Sequence, residues 1–188
     1  MKKRIMRTAT AVMTVIALSS FARAADAYGA AAVNENQTYT LEQMLTYAIQ
    51  EEYLSYARNM AAAAKFDEVR PFSKIAEDAK MHIILLKALA EKFGVPVPLD
   101  ESSGFVSAPE TLEDALKAGS EAEKLTRRMY EIFLGHDLPG DAKLVFTAMR
   151  NASGNHLKAF EKSMLRAGRS APRVPPSRPQ ETRVQPET

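Results

Sequence analysis

The chain contains the same two-helix pattern twice, and this duplication constrains its fold more than any other feature of the sequence. The segment Thr40–Leu45, TLEQML, recurs 71 residues later as TLEDAL in Thr111–Leu116. In both copies the apolar residues that follow keep the 3.6-residue period of an amphipathic helix rather than the alternation of a strand. Since a repeated unit buries its apolar face against its neighbour, we predict that the two copies pack together.

Each copy also places one glutamate and one histidine within its otherwise apolar stripe. Glu52 aligns with Glu123 without a gap, and His82 aligns with His156 once three residues are inserted. The sequence has only three histidines, so two of them occupy corresponding places. A pseudo-twofold packing of the copies would bring all four side chains to one level of the core.

The stripes predict four helices, which span approximately residues 40–66, 71–93, 111–134 and 141–166. The connection between the second and third helices, residues 95–109, is rich in Pro, Ser and Gly and is long enough for a crossover. The order of a short, a long and a short connection is typical of the ferritin-like variant of the four-helix bundle. We therefore predict an all-α fold of this type, built from a duplicated two-helix unit.

The two ends of the chain differ in composition from the helical part. Residues 1–24 join a basic start to an apolar run and end in Ala-Arg-Ala, which is typical of a secretory signal peptide cleaved after Ala24. This predicts a periplasmic or secreted protein. We expect residues 25–37 to form a flexible arm, residues 38–167 the bundle, and residues 168–188 a disordered tail rich in Pro and Arg.

The composition excludes several classes of site and partner. The chain has no cysteine, so disulfides, thiolate metal sites and cysteine nucleophiles are ruled out. Five of the 25 Lys and Arg residues and none of the 23 acidic residues lie in residues 1–24, which leaves the rest with a formal charge of −3. Without a basic stripe we expect no nucleic-acid partner, and after signal cleavage no membrane span. A homodimer stays open.

The four polar residues of the stripes predict either a metal site or two buried ion pairs. Two carboxylates and two imidazoles suit iron, manganese or zinc. In this interpretation Glu52 and Glu123 supply oxygen ligands, while His82 and His156 supply nitrogen ligands. In the alternative, no cofactor is bound and each glutamate pairs with a protonated histidine, because a buried unpaired carboxylate is costly.

Four further polar residues lie near this predicted site in sequence. Tyr130 lies two helical turns after Glu123, where it either donates a hydrogen bond to a ligand or simply fills the core. Glu51 is about 100° around the helix from its neighbour Glu52, so we expect it to face solvent, although it is a rival for the inward position. We expect Glu121 to be solvated and His136 to be an exposed loop residue.

Several short motifs resemble the rubrerythrin-like members of the ferritin-like superfamily and bacterial ferritin-like domains of unassigned function. The resemblance covers about residues 38–166. The motifs that carry it are Glu52-Tyr53-Leu54-Ser55, Val69-Arg70-Pro71-Phe72, His82-Ile83, the run from Glu91 to Pro98, Glu121-Ala122-Glu123, and the run from Asn155 to Phe160. Their order and spacing together are more specific than any one of them.

This resemblance implies a dimetal centre, most often of iron. Its ligands are one glutamate from each of two helices and a Glu-x-x-His motif from each of the other two. The single glutamates match Glu52 and Glu123, and the histidines match His82 and His156.

The glutamates expected three residues before the histidines are missing. Ala79 and Ser153 occupy those places, so four of the six expected protein ligands remain. Asp78, four residues before His82, is a candidate additional ligand on one side. Four ligands suit one metal ion better than two, and they equally suit a relic site that no longer binds metal.

The leading hypothesis is an exported protein that binds a transition metal through a reduced Glu/His site in the bundle core. Redox activity toward oxygen or peroxide is implied by the resemblance, but the residues do not establish an oxidoreductase. The alternative is a metal-free helical interaction or stress-response protein with buried Glu–His pairs. A ferritin-type storage cage is disfavoured, because the acidic entry and nucleation patches are not evident.

Overall fold

The computed structural model describes residues 28–67 and 69–170, within which there are four long helices and no strand. The helices are α1 (Leu41–Phe66), α2 (Lys74–Lys92), α3 (Leu112–Leu134) and α4 (Gly140–Ser170). The prediction of an all-α four-helix bundle with a long connection between its second and third helices is confirmed. The predicted signal peptide lies outside the described residues, as do residues 171–188 of the predicted tail.

The repeated Thr-Leu-Glu segments begin helices for the same reason in both copies. The Thr40 hydroxyl accepts a hydrogen bond from the Gln43 amide, and the Gln43 side chain accepts one from the Thr40 amide, which completes a capping box. Thr111 likewise accepts a hydrogen bond from the Asp114 amide. The sequence signal that aligned the copies is therefore a pair of helix N-caps.

Two predicted helix bounds differ from the structure by more than one residue. Regular α-helix begins at Lys74 rather than at Pro71, because the backbone at Arg70 is extended (φ −129°, ψ 136°) and Val69–Ser73 forms a wider helical turn. At the other end, α4 continues to Ser170, four residues beyond the predicted end.

The helices form a four-sided ring. Within the described residues, α1 packs against α2 and α3, α4 packs against the same two helices, and the diagonal pairs make no close contact. Exchanging the two copies, α1 with α3 and α2 with α4, maps this ring onto itself. The packing therefore has the pseudo-twofold arrangement that the duplication predicted.

A polar layer divides the apolar core of this ring into two parts. A larger apolar cluster includes Leu45, Leu86 and Phe133, and a smaller one includes Phe72 and Phe160. Between them α1, α3 and α4 contribute buried polar side chains, namely Glu52, Ser55, Asn59, Ser120, Glu123, Thr126 and Ser153. The chemistry of the bundle is concentrated in this layer.

The predicted flexible arm is wrong for residues 28–32, which pack against the bundle. Gly29–Ala32 forms a 3-10 helix, and the Ala30 amide donates a 2.9 Å hydrogen bond to the Glu51 carboxylate. The Tyr28 ring stacks on Phe105 at 4.7 Å. Gly29 has φ +65°, and a Cβ there would lie 2.7 Å from Glu51 Oε2. The close approach of this segment to Glu51 therefore requires glycine.

Within the described residues, no helix is both long enough and apolar enough to cross a lipid bilayer.

Candidate metal centre

The structure places the four symmetric polar residues together in the polar layer. Glu52 on α1 and Glu123 on α3 are each 4% exposed. His82 Nδ1 on α2 lies 3.2 Å from Glu52 Oε2, and His156 Nδ1 on α4 lies 3.3 Å from Glu123 Oε1. The two imidazole rings are stacked, with their centroids 6.2 Å apart. Each acid–histidine contact therefore joins two helices of one copy, and the two contacts meet across the copies.

Tyr130 fills the core and also contacts this site. Its hydroxyl donates a 3.3 Å hydrogen bond to Glu52 Oε1, and its ring packs against Phe133 and Phe146. Burial, followed by the nearby Glu52 and Glu51 carboxylates, raises the pKa of Tyr130 well above its usual value of 10.0. The phenol therefore stays protonated and acts as a donor that fixes the position of Glu52.

We predict that Tyr130→Phe destabilises the protein by about 1–3 kcal/mol, the usual cost of leaving a buried charged acceptor without its donor. The ring packing is retained, so the change isolates the hydroxyl. Urea unfolding followed by circular dichroism measures the effect. Tyr47→Phe is the matched control, because the Tyr47 ring packs edge-on against Tyr39 and its hydroxyl makes none of the described hydrogen bonds. Equal stability of wild type and Tyr130→Phe would show that the hydrogen bond from Tyr130 to Glu52 does not contribute to stability.

Asp78 contacts the histidine of the other copy rather than the one nearest to it in sequence. Its Oδ2 lies 3.4 Å from His156 Nε2, because α2 packs against α4, and Oδ1 pairs with Lys74 at the surface. Burial works against the charged form of Asp78, but the Lys74 and His156 contacts outweigh it and hold the pKa below the usual 3.8. His156 therefore lies between two carboxylates, those of Glu123 and Asp78.

The Glu123–His156 pair is poised to retain a proton. Burial raises the pKa of Glu123 above its usual 4.5, although His156 opposes this effect. Burial also disfavours the imidazolium form of His156. The hydrogen bond and charge of Glu123, with smaller contributions from Glu52 and Asp78, outweigh that cost and raise the pKa of His156 above 6.5. In the absence of metal, a proton is therefore held at this pair more tightly than on either isolated side chain.

The expectation that Glu51 faces solvent is wrong, since it is 2% exposed. Its carboxylate accepts hydrogen bonds from Arg58 at 2.7 Å, from the Thr126 hydroxyl at 2.9 Å and from the Ala30 amide at 2.9 Å. It is buried because α3 and the segment of residues 28–32 cover this side of α1. Glu51 thus anchors the N-terminal segment and, with three donors already bound, is not free to act as a metal ligand.

His136 is also not the exposed loop residue that the sequence predicted. It is half-buried, its Nε2 accepts a 3.1 Å hydrogen bond from the Tyr39 amide, and its Nδ1 lies 2.9 Å from the Ile132 carbonyl. It joins the end of α3 to the segment before α1, away from the polar layer. Glu121 is exposed, as predicted, and it pairs with Lys124.

The two positions where the resemblance implies further glutamate ligands are both buried. Ala79 is fully buried and Ser153 is 3% exposed, so neither place holds a carboxylate. Within residues 28–67 and 69–170, no group of three or more His, Asp or Glu side chains is already arranged to hold a metal ion. The residues present therefore do not fit a complete dimetal centre.

Comparison with known proteins establishes the fold and not the chemistry. No family model matches the chain. An uncharacterized protein of Methanocaldococcus jannaschii, MJ0754, is 30% identical over 112 residues, which cover 52% of this chain and 60% of that protein. The crystal structure of the hypothetical protein MJ0754 superposes with a TM-score of 0.62 at 24% identity, over 70% of this chain and 85% of that chain. The chain is therefore similar in fold to MJ0754 and spans about 60% of that relative's length.

Proposed function

We propose that this protein binds one divalent transition metal ion, iron, manganese or zinc, in its polar layer. Glu52 and Glu123 would supply oxygen ligands, and His82 and His156 nitrogen ligands. As part of the same proposal the protein acts after export to the periplasm, and its bundle belongs with the ferritin-like, rubrerythrin-like proteins whose motifs it resembles.

The observation that carries the proposal is the charge balance of the polar layer. Glu51 is neutralised by Arg58, and Asp78 by Lys74. The described polar side chains that contact Glu52 and Glu123 are two imidazoles and one phenol, so no permanent cation compensates these two buried charges. Buried carboxylates are costly without compensation. One divalent ion bound to two neutral imidazoles supplies the missing charge of +2.

The distances within the two pairs also support a shared cation. The nitrogen–oxygen separations of 3.2 and 3.3 Å are longer than the roughly 2.7–2.9 Å of a charge-assisted hydrogen bond. Two ligand atoms each about 2.1 Å from one ion, at angles between octahedral and tetrahedral, lie about 3.0–3.4 Å apart. Each Glu–His pair therefore has the spacing of two ligands on one ion. Metal binding requires the two pairs to move closer together.

The ligand count supports one ion rather than two. Ala79 and Ser153 remove the carboxylates that would complete a second metal site. Iron or manganese would give the site redox chemistry toward oxygen or peroxide, whereas zinc would not. The protein's own residues would hold the ion and keep water out of the layer, and Tyr130 would orient Glu52.

A specific observation favours the second candidate, a metal-free interaction or stress-response protein. Every buried polar side-chain atom among the described residues already has a hydrogen-bond partner. In that case Glu52–His82 and Glu123–His156 are protonated structural pairs, and the polar layer serves to align the four helices.

Metal analysis decides between the two. The protein, purified without an affinity tag and reconstituted with Fe(II), Mn(II) or Zn(II), should retain about one equivalent of metal by inductively coupled plasma mass spectrometry. The double variant His82→Ala/His156→Ala should lose at least nine-tenths of it. His136→Ala, which also removes an imidazole but lies away from the layer, should retain full occupancy. Less than about a tenth of an equivalent in the wild-type protein would leave the metal-free function standing.

A further inference from the structure

The outer side of α2 and the segment that follows it expose large apolar side chains. Met81, Ile84, Leu85, Val97 and Leu99 are between 42% and 81% exposed. On α2 these residues are three and four positions apart, so they share one side of the helix. We call Met81, Ile84, Leu85, Ala88, Val95 and Val97 the α2 face, which Leu99 continues. A grouped set of this kind, unlike single exposed leucines, marks an interaction surface.

The α2 face contains a shallow, open groove. Ile84, Ala88, Val95 and Val97 line it, and its volume is about 560 Å³. Ala88, the smallest of these residues, lies exposed on the helix and allows a second helix to approach closely. Lys87 and Glu91 complete the lining, so the charges at the rim are one positive and one negative; the Lys87 ammonium also lies 5.2 Å from the centre of the Tyr53 ring on α1.

We propose that the α2 face binds the α2 face of a second copy of this chain, with the twofold axis passing beside Ala88 and Leu89. In such an antiparallel pairing, Lys87 faces Glu91 of the partner subunit, and Glu91 faces the partner subunit's Lys87. The rim is thus self-complementary, as a twofold interface requires. Met81, about 10 Å along α2 from Ala88, then lies against the end of the partner's face that carries Val97 of the partner subunit.

The available area reaches the lower limit for a specific dimer if the exposed apolar side chains are fully buried. Five large apolar side chains at these exposures offer on the order of 500 Å² per subunit, so two subunits bury about 1,000 Å² before the rim is counted. That total is the lower limit for a stable biological interface, and the Lys87 and Glu91 side chains add to it. A second copy satisfies both the apolar area and the charge pattern.

Sedimentation equilibrium of residues 25–188, the chain without its predicted signal peptide, tests whether the α2 face forms a dimer. The wild-type protein should be dimeric at about 50 μM, and Ile84→Glu should be monomeric, since it places a charge in the apolar groove. Leu144→Glu is the matched control: Leu144 is 72% exposed on α4, outside the face, and the change should leave the dimer intact. A wild-type monomer at this concentration, or a dimer that survives Ile84→Glu, would overturn the proposal.

A charge exchange and a cross-link test the twofold register. Lys87→Glu or Glu91→Lys alone should weaken dimerisation at least tenfold, because each places like charges together at two related positions, and the double variant should restore it. The chain has no cysteine, so Ala88→Cys should form a disulfide-linked dimer on oxidation, whereas Leu144→Cys should not. Failure of the double variant to restore the dimer, or of Ala88→Cys to cross-link, would refute this register. None of these readouts depends on bound metal.

Discussion

Excess Mn(II) is expected to raise the free energy of unfolding by about 3–4 kcal/mol at concentrations of 100 to 1,000 times its Kd. For a chain of this length that corresponds to an increase in Tm on the order of 10 °C. The effect is large because the four proposed ligands come from four different helices, so the proposed site exists only in the folded bundle. Differential scanning calorimetry with and without Mn(II), after treatment with a chelator, measures it.

The pH dependence of the metal-free protein gives this experiment a second test. Folding raises the pKa of both Glu123 and His156, so the folded state binds these protons more tightly than the unfolded chain. The resulting stability is fully present below the unfolded pKa values, 4.5 and 6.5 respectively, and is lost as pH rises through the folded ones. We therefore expect the Tm of the metal-free protein to fall between pH 6 and pH 8.

The increase in Tm that metal causes should depend on pH in the opposite direction, because it involves the same residues. Binding needs neutral imidazoles and charged carboxylates, so it displaces the protons held at Glu123 and His156. The increase in Tm caused by Mn(II) should accordingly be larger at pH 8 than at pH 6. The double variant His82→Ala/His156→Ala is the control and should show no increase at either pH. An equal increase in that variant would mean that the ion binds elsewhere.

Gly119→Ala is expected to destabilise the protein by about 1–3 kcal/mol, the usual cost of overpacking a core. A Cβ at this position of α3 would lie 2.4 Å from ring atoms of Phe160 on α4. Phe160 is fully buried and packs on Phe72, with ring centroids 5.7 Å apart, so moving the ring away from a new Cβ would disturb this contact. The absence of a side chain at Gly119 is therefore what lets α3 and α4 approach at this level.

Gly154→Ala on α4 is the matched control. A Cβ at Gly154 meets nothing within 4 Å, so the change should stabilise the protein by about 0.5–1 kcal/mol through helix propensity alone. Urea unfolding of the two variants should give shifts of opposite sign. If Gly119→Ala were neutral or stabilising, the packing of Phe160 against this glycine would not be as described.

Much of the architecture was predictable from the sequence because it depends on local signals and on the duplication. Thr40 and Thr111 cap their helices through residues three positions away, so the caps are visible in the chain itself. The apolar period of each helix indicates which of its sides faces the core. That was sufficient to place Glu52, His82, Glu123 and His156 in one layer.

The errors arose where another element decided what a side chain contacts. Glu51 is buried because α3 and residues 28–32 cover a second side of α1, which the period of α1 alone does not reveal. Asp78 contacts His156 rather than His82 because α2 packs against α4. His136 is held by the Tyr39 amide, 97 residues away. None of these contacts has a local sequence signal.

The sequence by itself determined four helices, their caps and the symmetric placement of two acids and two histidines, because helical period and repetition are properties of the chain alone. Only the tertiary structure decided which carboxylates are neutralised by a lysine or an arginine and which are left to the imidazoles. The physical reason is that charge compensation depends on distances between side chains far apart in sequence. That difference separates Glu51, an anchor, from Glu52, a candidate ligand, although the two are adjacent in the chain.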